Sequence, residues 1–449
     1  MYNFKRDAKR MPLRKKLFII GFILLVVRII TCIPLPMVNR EYLEAMSSSM
    51  LSGGLFGMMT GASFERMSLF ALSISPYITA SIVIQLLAVC IPALDDMRKD
   101  GKTGEEKYKK VITFTGVGLA FIQALFMSIG FGRQGLIEPY NAGTVALATI
   151  LWTAGASVFI LIGEFIEWFG IGSGISFLLL FNIISTIPAD MKVYHSMFVS
   201  GKPILVQIVF WAAFVLVFFA LVLACTFLTS TTKTIHIMQS GKIRGHVAAG
   251  RSTMPIPLVT CSVMPIIFAG SLCSLPAIIV QLTGSSNTVL HHISCLLSPT
   301  YWFDTTQMWY TLGVIIYVAL TYMFTSFYLG MSFNAVEIAN RLKQQGATIP
   351  GIRPGKPTVE YLERNIKNVA YWGNTLLTGL IIVMYAITGL TGLGSLSMSS
   401  TSAIIAVSII NELFMTIKGE MATQHITPLF GAASSKSRVG FLPGGIKNV

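Results

Sequence analysis

Apolar runs of membrane length alternate with short polar connections along almost the whole chain, and one stretch breaks the rhythm. A run of about 20 apolar residues spans a bilayer as a helix. Ten runs are legible: residues 17–33, the apolar part of 51–87, then 111–129, 144–165, 175–187, 204–228, 258–282, 308–331, 369–387 and 402–417. The exceptional stretch is LSGGLFGMMTGASFERMSLFALSISPYITASIVIQLL, residues 51–87. It starts with a glycine-studded segment too short to cross, passes Glu65 and Arg66, and becomes an apolar helix that Pro76 is expected to break and loosen. Lipid offers no hydrogen-bond partner to exposed backbone, so a half-length segment at membrane depth has to lie inside protein or beside a water-filled cavity. The pattern predicts an all-α polytopic membrane protein that encloses a path through itself.

Charge orders these runs. Of the 33 Lys and Arg, 27 fall before the first run, in the even-numbered connections or in the tail, while Arg40, Arg66, Arg133, Lys192 and Lys202 fall on the other side. The excess of basic residues on cytoplasmic segments places both termini in the cytoplasm, with residues 95–110, 233–251 and 334–364 as cytoplasmic loops. Ten spans divide into two fives, and an odd number per half turns the halves over relative to one another, as in inverted-repeat architectures. The expected organisation is an N-terminal half over 1–190, a C-terminal half over 191–430 and a basic cytoplasmic tail over 431–449. Arg28, late in the first run, is expected to snorkel to the far interface, since a charge at the bilayer centre costs about 3 kcal/mol or more.

Composition narrows the classes. The chain is 53% hydrophobic and 12% charged, with a mean hydropathy of +0.70, which excludes an ordinary soluble domain. Its net charge of +14 is distributed between apolar runs and so reflects topology, not nucleic-acid binding. Cys32, Cys90, Cys225, Cys261, Cys273 and Cys295 lie in or beside apolar runs without a CxxC pair, so neither a disulfide framework nor a metal site is expected. The first run is too long for a cleavable signal and lacks a small-residue cleavage site. Glu164 and Glu167 have no nucleophile or histidine arranged with them, and the glycines at 170–174 follow a membrane helix, not a strand, so neither catalysis nor a cofactor is expected.

Four segments carry a family resemblance: FALSISPYITASIVIQLL (70–87), GIGSGIS (170–176), GRSTMPIPLVTCSVMPIIFAGS (250–271) and QGATIPGIRPGKPTVEYL (345–362). With them the chain resembles the SecY family, the channel subunits of the bacterial Sec translocon, over nearly its whole length. The resemblance implies ten transmembrane helices in two inverted five-helix halves in the cytoplasmic membrane. Unfolded secretory proteins would pass between the halves, and membrane helices would leave sideways into lipid. It implies a short plug helix at about 54–65 and a pore constriction of Ile74, Ile78, Leu179, Ile267 and Ile405. It further implies a lateral gate between the second and seventh spans, with Thr79, Gln85, Ser173, Ser176 and Thr260 among its polar groups. Arg353, Lys356, Arg341, Lys242 and Arg244 would meet a cytoplasmic partner, the motor ATPase SecA or the ribosome, and SecE-like and SecG-like subunits would flank the channel. Three positions depart from the family pattern: Met37 replaces a glycine after PLP, Ser173 replaces an asparagine in GIGSGIS, and 233–251 lacks the usual arginine run.

The residues support this reading on their own physics. Ile74 and Ile78 are four apart and share a helix face, and a ring of aliphatic side chains seals without preferring any sequence while dehydrating ions. Arg353 lies in IPGIRPG, where prolines and glycines stiffen an exposed hairpin-like turn and a guanidinium is available for carboxylate or phosphate. Ser73, Ser75, Ser81 and Ser262 add to a polar seam whose helix contacts are weak enough to open. The rival is an ion-coupled secondary transporter with inverted repeats, which needs an ionisable group near mid-membrane. The centres of spans two to ten carry none, and Asn411 and Glu412 lie toward the cytoplasmic end of the last. An insertase or assembly scaffold without a continuous pore would need no plug.

Overall fold

A computed structural model describes residues 11–39, 63, 66–170, 172–196, 203–239, 252–259, 264–283, 288–303, 308–390 and 402–419. Helices occupy all ten places at which spans are expected: α1 (Leu13–Thr31), α2 (Ser75–Cys90), α4 (Gly101–Arg133), α5 (Ala142–Glu167), α6 (Gly174–Tyr194), α7 (Ile204–Ser230), α8 (Met264–Thr283), α10 (Leu312–Ser332), α12 (Lys356–Leu390) and α13 (Ser402–Gly419). Among the described residues six helices are long and apolar enough to cross a membrane, and the bent pair of α2 with α3 (Pro92–Lys99) makes a seventh. α6 and α8 contain shorter apolar segments, interrupted by Pro188 and Pro276, because a proline withholds an N–H from the helix ladder.

Several polar connections are more ordered than expected. The stretch 95–110 is helical: α3 and the first three turns of α4 occupy it. Its Glu and Lys residues are good helix formers, and Lys109 pairs with Glu105 one turn away and with Glu167 on α5. The connection after α8 holds α9 (Thr288–Leu297). Residues 334–364 are mostly helix, with α11 (Ala335–Gln344) and the start of α12 flanking a short turn.

The sixth connection contributes strands. β1 (Thr232–Gln239) pairs antiparallel with β2 (Ser252–Pro257), Thr232 opposite Pro257 and Ile237 opposite Ser252. Its far end pairs with β3 (Ala347–Thr348), giving the order β2-β1-β3. The alternation of inward Ile235 and Ile237 with outward Thr234, His236 and Met238 buries one face, while β2, an edge strand, carries Pro255 and Pro257 where no ladder donor is needed. The sheet, α11 and the first turns of α12 enclose a separate apolar core of Ile235, Ile237, Ile256, Leu342, Ile349, Leu362 and Ile366. The connections after α7 and α10 thus form one folded head.

The helices pack mostly on near neighbours in the chain. α4 packs on α5 and α2, and α5 on α6; α8 packs on α9 and α10, and α10 and α7 on α12. One large apolar cluster crosses between them, drawing on α1, α2, α5 and α6 as well as α7, α8, α10, α12 and α13. Arg28 does not reach only for solvent: its Nη2 donates a long hydrogen bond of 3.5 Å to the Ser185 carbonyl of α6, close to Pro188. Cys32, Cys90, Cys225, Cys273 and Cys295 are free thiols.

Leu362 is 0% exposed at the centre of the head. Leu362→Ala should destabilise the head by about 2–5 kcal/mol. Limited trypsin digestion in detergent is the check, with cleavage after Arg341, Lys343 and Arg364, none of which precedes a proline, accelerated while the apolar helices stay intact.

Candidate functional site

The run from Met67 to Ile74 leads into α2 as a series of tight turns, not as helix. Ala71 N–H donates to Ser68 O, Ser73 N–H to Phe70 O and Ser75 N–H to Leu72 O. Met67 and Ser73 both have φ of +46°, a left-handed backbone. Apart from the half-buried Leu69, the run from Met67 to Ser75 is buried throughout. Three neighbours grip it. Trp152 Nε1 on α5 donates to Ser68 O at 3.2 Å, Gly155 lies so close to the Leu69 carbonyl that no Cβ fits, and Asn182 Nδ2 on α6 donates to Ser73 Oγ at 2.9 Å.

This grip changes the part assigned to Pro76. Pro76 does not break a helix that already carries Ile74; it stands in the first turn of α2, where its missing N–H is no loss. Ile74 is the residue that caps the helix, and its carbonyl accepts the Ile78 N–H at 3.1 Å, so the two side chains remain one turn apart. The 54–65 segment, apart from Ser63, lies outside the described residues. The Ser63 carbonyl accepts from both the N–H and the hydroxyl of Ser68, tying it to the gripped run.

The five residues expected at a constriction are all buried. Ile74 (0% exposed), Ile78 (7%), Leu179 (5%), Ile267 (6%) and Ile405 (6%) belong to one continuous apolar cluster, although they come from α2, α6, α8 and α13. Two are supplied by the N-terminal helices and two by the C-terminal ones, with Ile74 at the entrance to α2. These five side chains make apolar contacts only and have no polar group of their own that would fix their register.

The polar residues assigned to a gate are arranged differently from the expected seam. Thr79 Oγ1 donates to Ser75 O at 3.1 Å and Gln85 Nε2 to Ser81 Oγ at 2.7 Å, both within α2. Gln85 Oε1 is buried without a partner. Ser173 caps α6, and it and Ser176 are half-buried. Thr260 lies outside the described residues. The broadest contact of α8 with the N-terminal helices is with α4, an element the sequence did not single out.

In the head, Arg353 is exposed on the turn between β3 and α12, and among the described residues it has no ion-pair partner. Gly351 (φ +80°) and Gly355 (φ +115°) shape that turn, because glycine takes positive φ without a steric penalty. Thr358 Oγ1 donates to the Arg353 carbonyl at 2.9 Å, and Ile349 anchors the turn in the head core. Lys356 is exposed at the start of α12, whereas Arg341 is held by Glu337 at 2.7 Å on α11. Lys242 and Arg244 lie outside the described residues. Lys233, which the sequence did not single out, donates to Asn365 Oδ1 at 2.8 Å and joins β1 to α12.

With this geometry in place, comparison with known proteins is informative. A family model described as SecY matches residues 68–414. The chain is 31% identical to the protein translocase subunit SecY of Bacillus subtilis (strain 168), over 94% of this chain and 97% of that one. Among solved structures it is similar to a protein conducting channel, with a TM-score of 0.65 at 19% identity, covering 90% of this chain and 91% of that one. It is also similar to Sec61 in the canine ribosome-channel complex from the endoplasmic reticulum, with a TM-score of 0.59 at 16% identity, covering 90% and 91%. At these identities the structural likeness speaks for the fold.

A methyl at position 155 must displace the Leu69 backbone. Gly155→Ala should therefore destabilise the N-terminal helices by about 1–3 kcal/mol, seen as a lower midpoint of thermal unfolding in detergent, while Gly143→Ala, in open space on the same helix, leaves it unchanged.

Proposed function

This chain belongs to the SecY family, and on that premise we propose that it is a protein-conducting channel subunit, passing unfolded secretory proteins across the bacterial cytoplasmic membrane and releasing membrane helices sideways into lipid. The observation that carries the reading is the meeting of Ile74, Ile78, Leu179, Ile267 and Ile405 in one buried cluster. In this reading they form the closed constriction between an N-terminal half (1–190) and a C-terminal half (191–430). Aliphatic side chains make no directional bonds with a passing peptide, so the ring yields to any sequence and closes behind it. When closed it excludes ions, because nothing in it replaces their hydration. The segment at about 54–65 acts as the plug, drawn toward or away from the ring by its root at Ser63 and Ser68.

Lateral release requires the halves to part on one side. We assign the moving edge to α8, which separates from α4 as well as from α2, with Thr79, Gln85, Ser173, Ser176 and Thr260 lining the opening. Among the described residues Thr79 and Gln85 donate hydrogen bonds only within α2, which keeps that separation inexpensive. The termini and the head face the cytoplasm in this arrangement. Arg353, with Lys356, Lys242 and Arg244, meets SecA or the ribosome, whose acidic or phosphate groups match a guanidinium held out on a rigid turn. Arg341, already paired, contributes less. Flanking SecE-like and SecG-like subunits are part of the proposal, and the exposed apolar flank of α7, with Ile208, Val215 and Phe219, supports a covering partner helix. The chain conducts and does not catalyse. Family membership sets the ion-coupled transporter aside.

Cysteine crosslinking to a stalled secretory precursor tests the conduit. Ile78→Cys should crosslink and Phe18→Cys, on the exposed face of α1 (77% exposed), should not; the reverse pattern contradicts the assignment. For the head, Arg353→Glu should slow precursor translocation in membrane vesicles by about tenfold or more, the loss expected of a charge-assisted contact, with unchanged amounts of protein in the membrane.

A further inference from the structure

Ser73 stands one residue before the constriction with a left-handed backbone, φ +46°. Side chains with a Cβ adopt that conformation against a steric penalty that glycine does not have. Ser73 is 0% exposed, and its hydroxyl accepts a hydrogen bond from Asn182 Nδ2 at 2.9 Å. Asn182 is 3% exposed and lies on α6 three residues after Leu179, a spacing that puts both on neighbouring parts of one helix face. The bond thus joins the two segments of the N-terminal half that carry constriction residues, at the level of the constriction itself.

The consequence runs along the backbone. Ile74 follows Ser73 directly, and its carbonyl accepts the Ile78 N–H to open α2. Whatever fixes the dihedrals of Ser73 therefore fixes where α2 begins and where both isoleucines point. An apolar contact at this place would not oppose relaxation of Ser73 to a right-handed backbone, since packing is not directional; a buried hydrogen bond does, because it is directional and is lost when the Ser73 hydroxyl swings away.

We infer that Asn182 is a positioning residue of the seal: its amide holds Ser73 in the left-handed conformation and so keeps Ile74 and Ile78 in register with Leu179. Trp152 and Gly155 hold the same run from the α5 side, at Ser68 and Leu69, which leaves Ser73 as the point where α6 controls it. This inference rests on the reading of the five aliphatic residues as the channel's constriction.

The test uses membrane vesicles containing the chain with its native partner subunits, in which resting permeability to chloride and the rate of precursor translocation are measured on the same preparation. Asn182→Leu should raise resting permeability about fivefold, the effect of one net hydrogen bond, and change the translocation rate by less than about twofold. Ser73→Ala, which loses the acceptor and keeps the steric penalty, should leak similarly and reads the same loss if the leucine variant fails to accumulate. Adding Ser73→Gly to Asn182→Leu should return the leak to near the original level, because glycine takes the left-handed backbone unaided. A tight Asn182→Leu channel, or a leak that Ser73→Gly does not reverse, overturns the positioning role. Ile78→Ser separates the two claims: if it leaks while Asn182→Leu and Ser73→Ala stay tight, only the role of Asn182 falls, whereas a tight Ile78→Ser channel overturns the constriction on which it rests.

Discussion

The mutual burial of a few branched aliphatic side chains is the constraint on which the molecule depends. A closed passage for polypeptides has to exclude ions of ångström size yet admit chains of any sequence, and only groups without hydrogen-bonding capacity meet both demands. Ile74, Ile78, Leu179, Ile267 and Ile405 have that chemistry and lie in a single cluster. Hydrophobic association is also reversible at modest cost, roughly 25 cal/mol per Å² of apolar surface, so in the proposed reading the same contact can close the passage and part again.

What an aliphatic ring lacks is a means of setting its own geometry, and the surrounding structure provides it. The turns before α2 are fixed by three contacts from α5 and α6, two of them to backbone carbonyl groups. On the other side, α13 and α7 are joined through the Cys225 thiol, within 3.6 Å of the Ile404 carbonyl beside Ile405. Polar contacts therefore adjoin Ile74 and Ile405 in the chain, at Ser73 and Ile404. At the other end of α12 the head has its own core, so Arg353 stands on a folded platform continuous with a helix whose Leu377 and Ile381 belong to the same apolar cluster as those five residues. Contact at the head and geometry at the waist thus share one rigid element.

Much of this arrangement was legible in the amino-acid sequence, because bilayer thickness turns hydropathy into helix positions. The choice of the five aliphatic residues came from family resemblance, since one isoleucine in an apolar helix looks like another. Other features were encoded but overlooked: Ile235 and Ile237 alternate with polar neighbours and mark β1, and the Glu105 to Lys109 spacing marks a helix in what read as a loop. The proline of SPYI signals a helix start as readily as a break, and only the dihedrals at Ile74 and Ser73 decide between them. The grip of Trp152, Gly155 and Asn182 has no local signal at all, because it joins residues 84 to 109 positions apart. The contact of α8 with α4 is likewise tertiary.

The central claim is that the seal depends on the apolarity of the ring and not on its detailed shape. Ion conductance of the resting channel in planar bilayers tests this most directly, comparing a channel whose five ring residues are exchanged for other aliphatic residues with one in which they are serine. The account predicts a tight aliphatic channel and a conducting serine channel. A serine ring that stays closed to ions, or an aliphatic exchange that leaks as freely as serine, would contradict it.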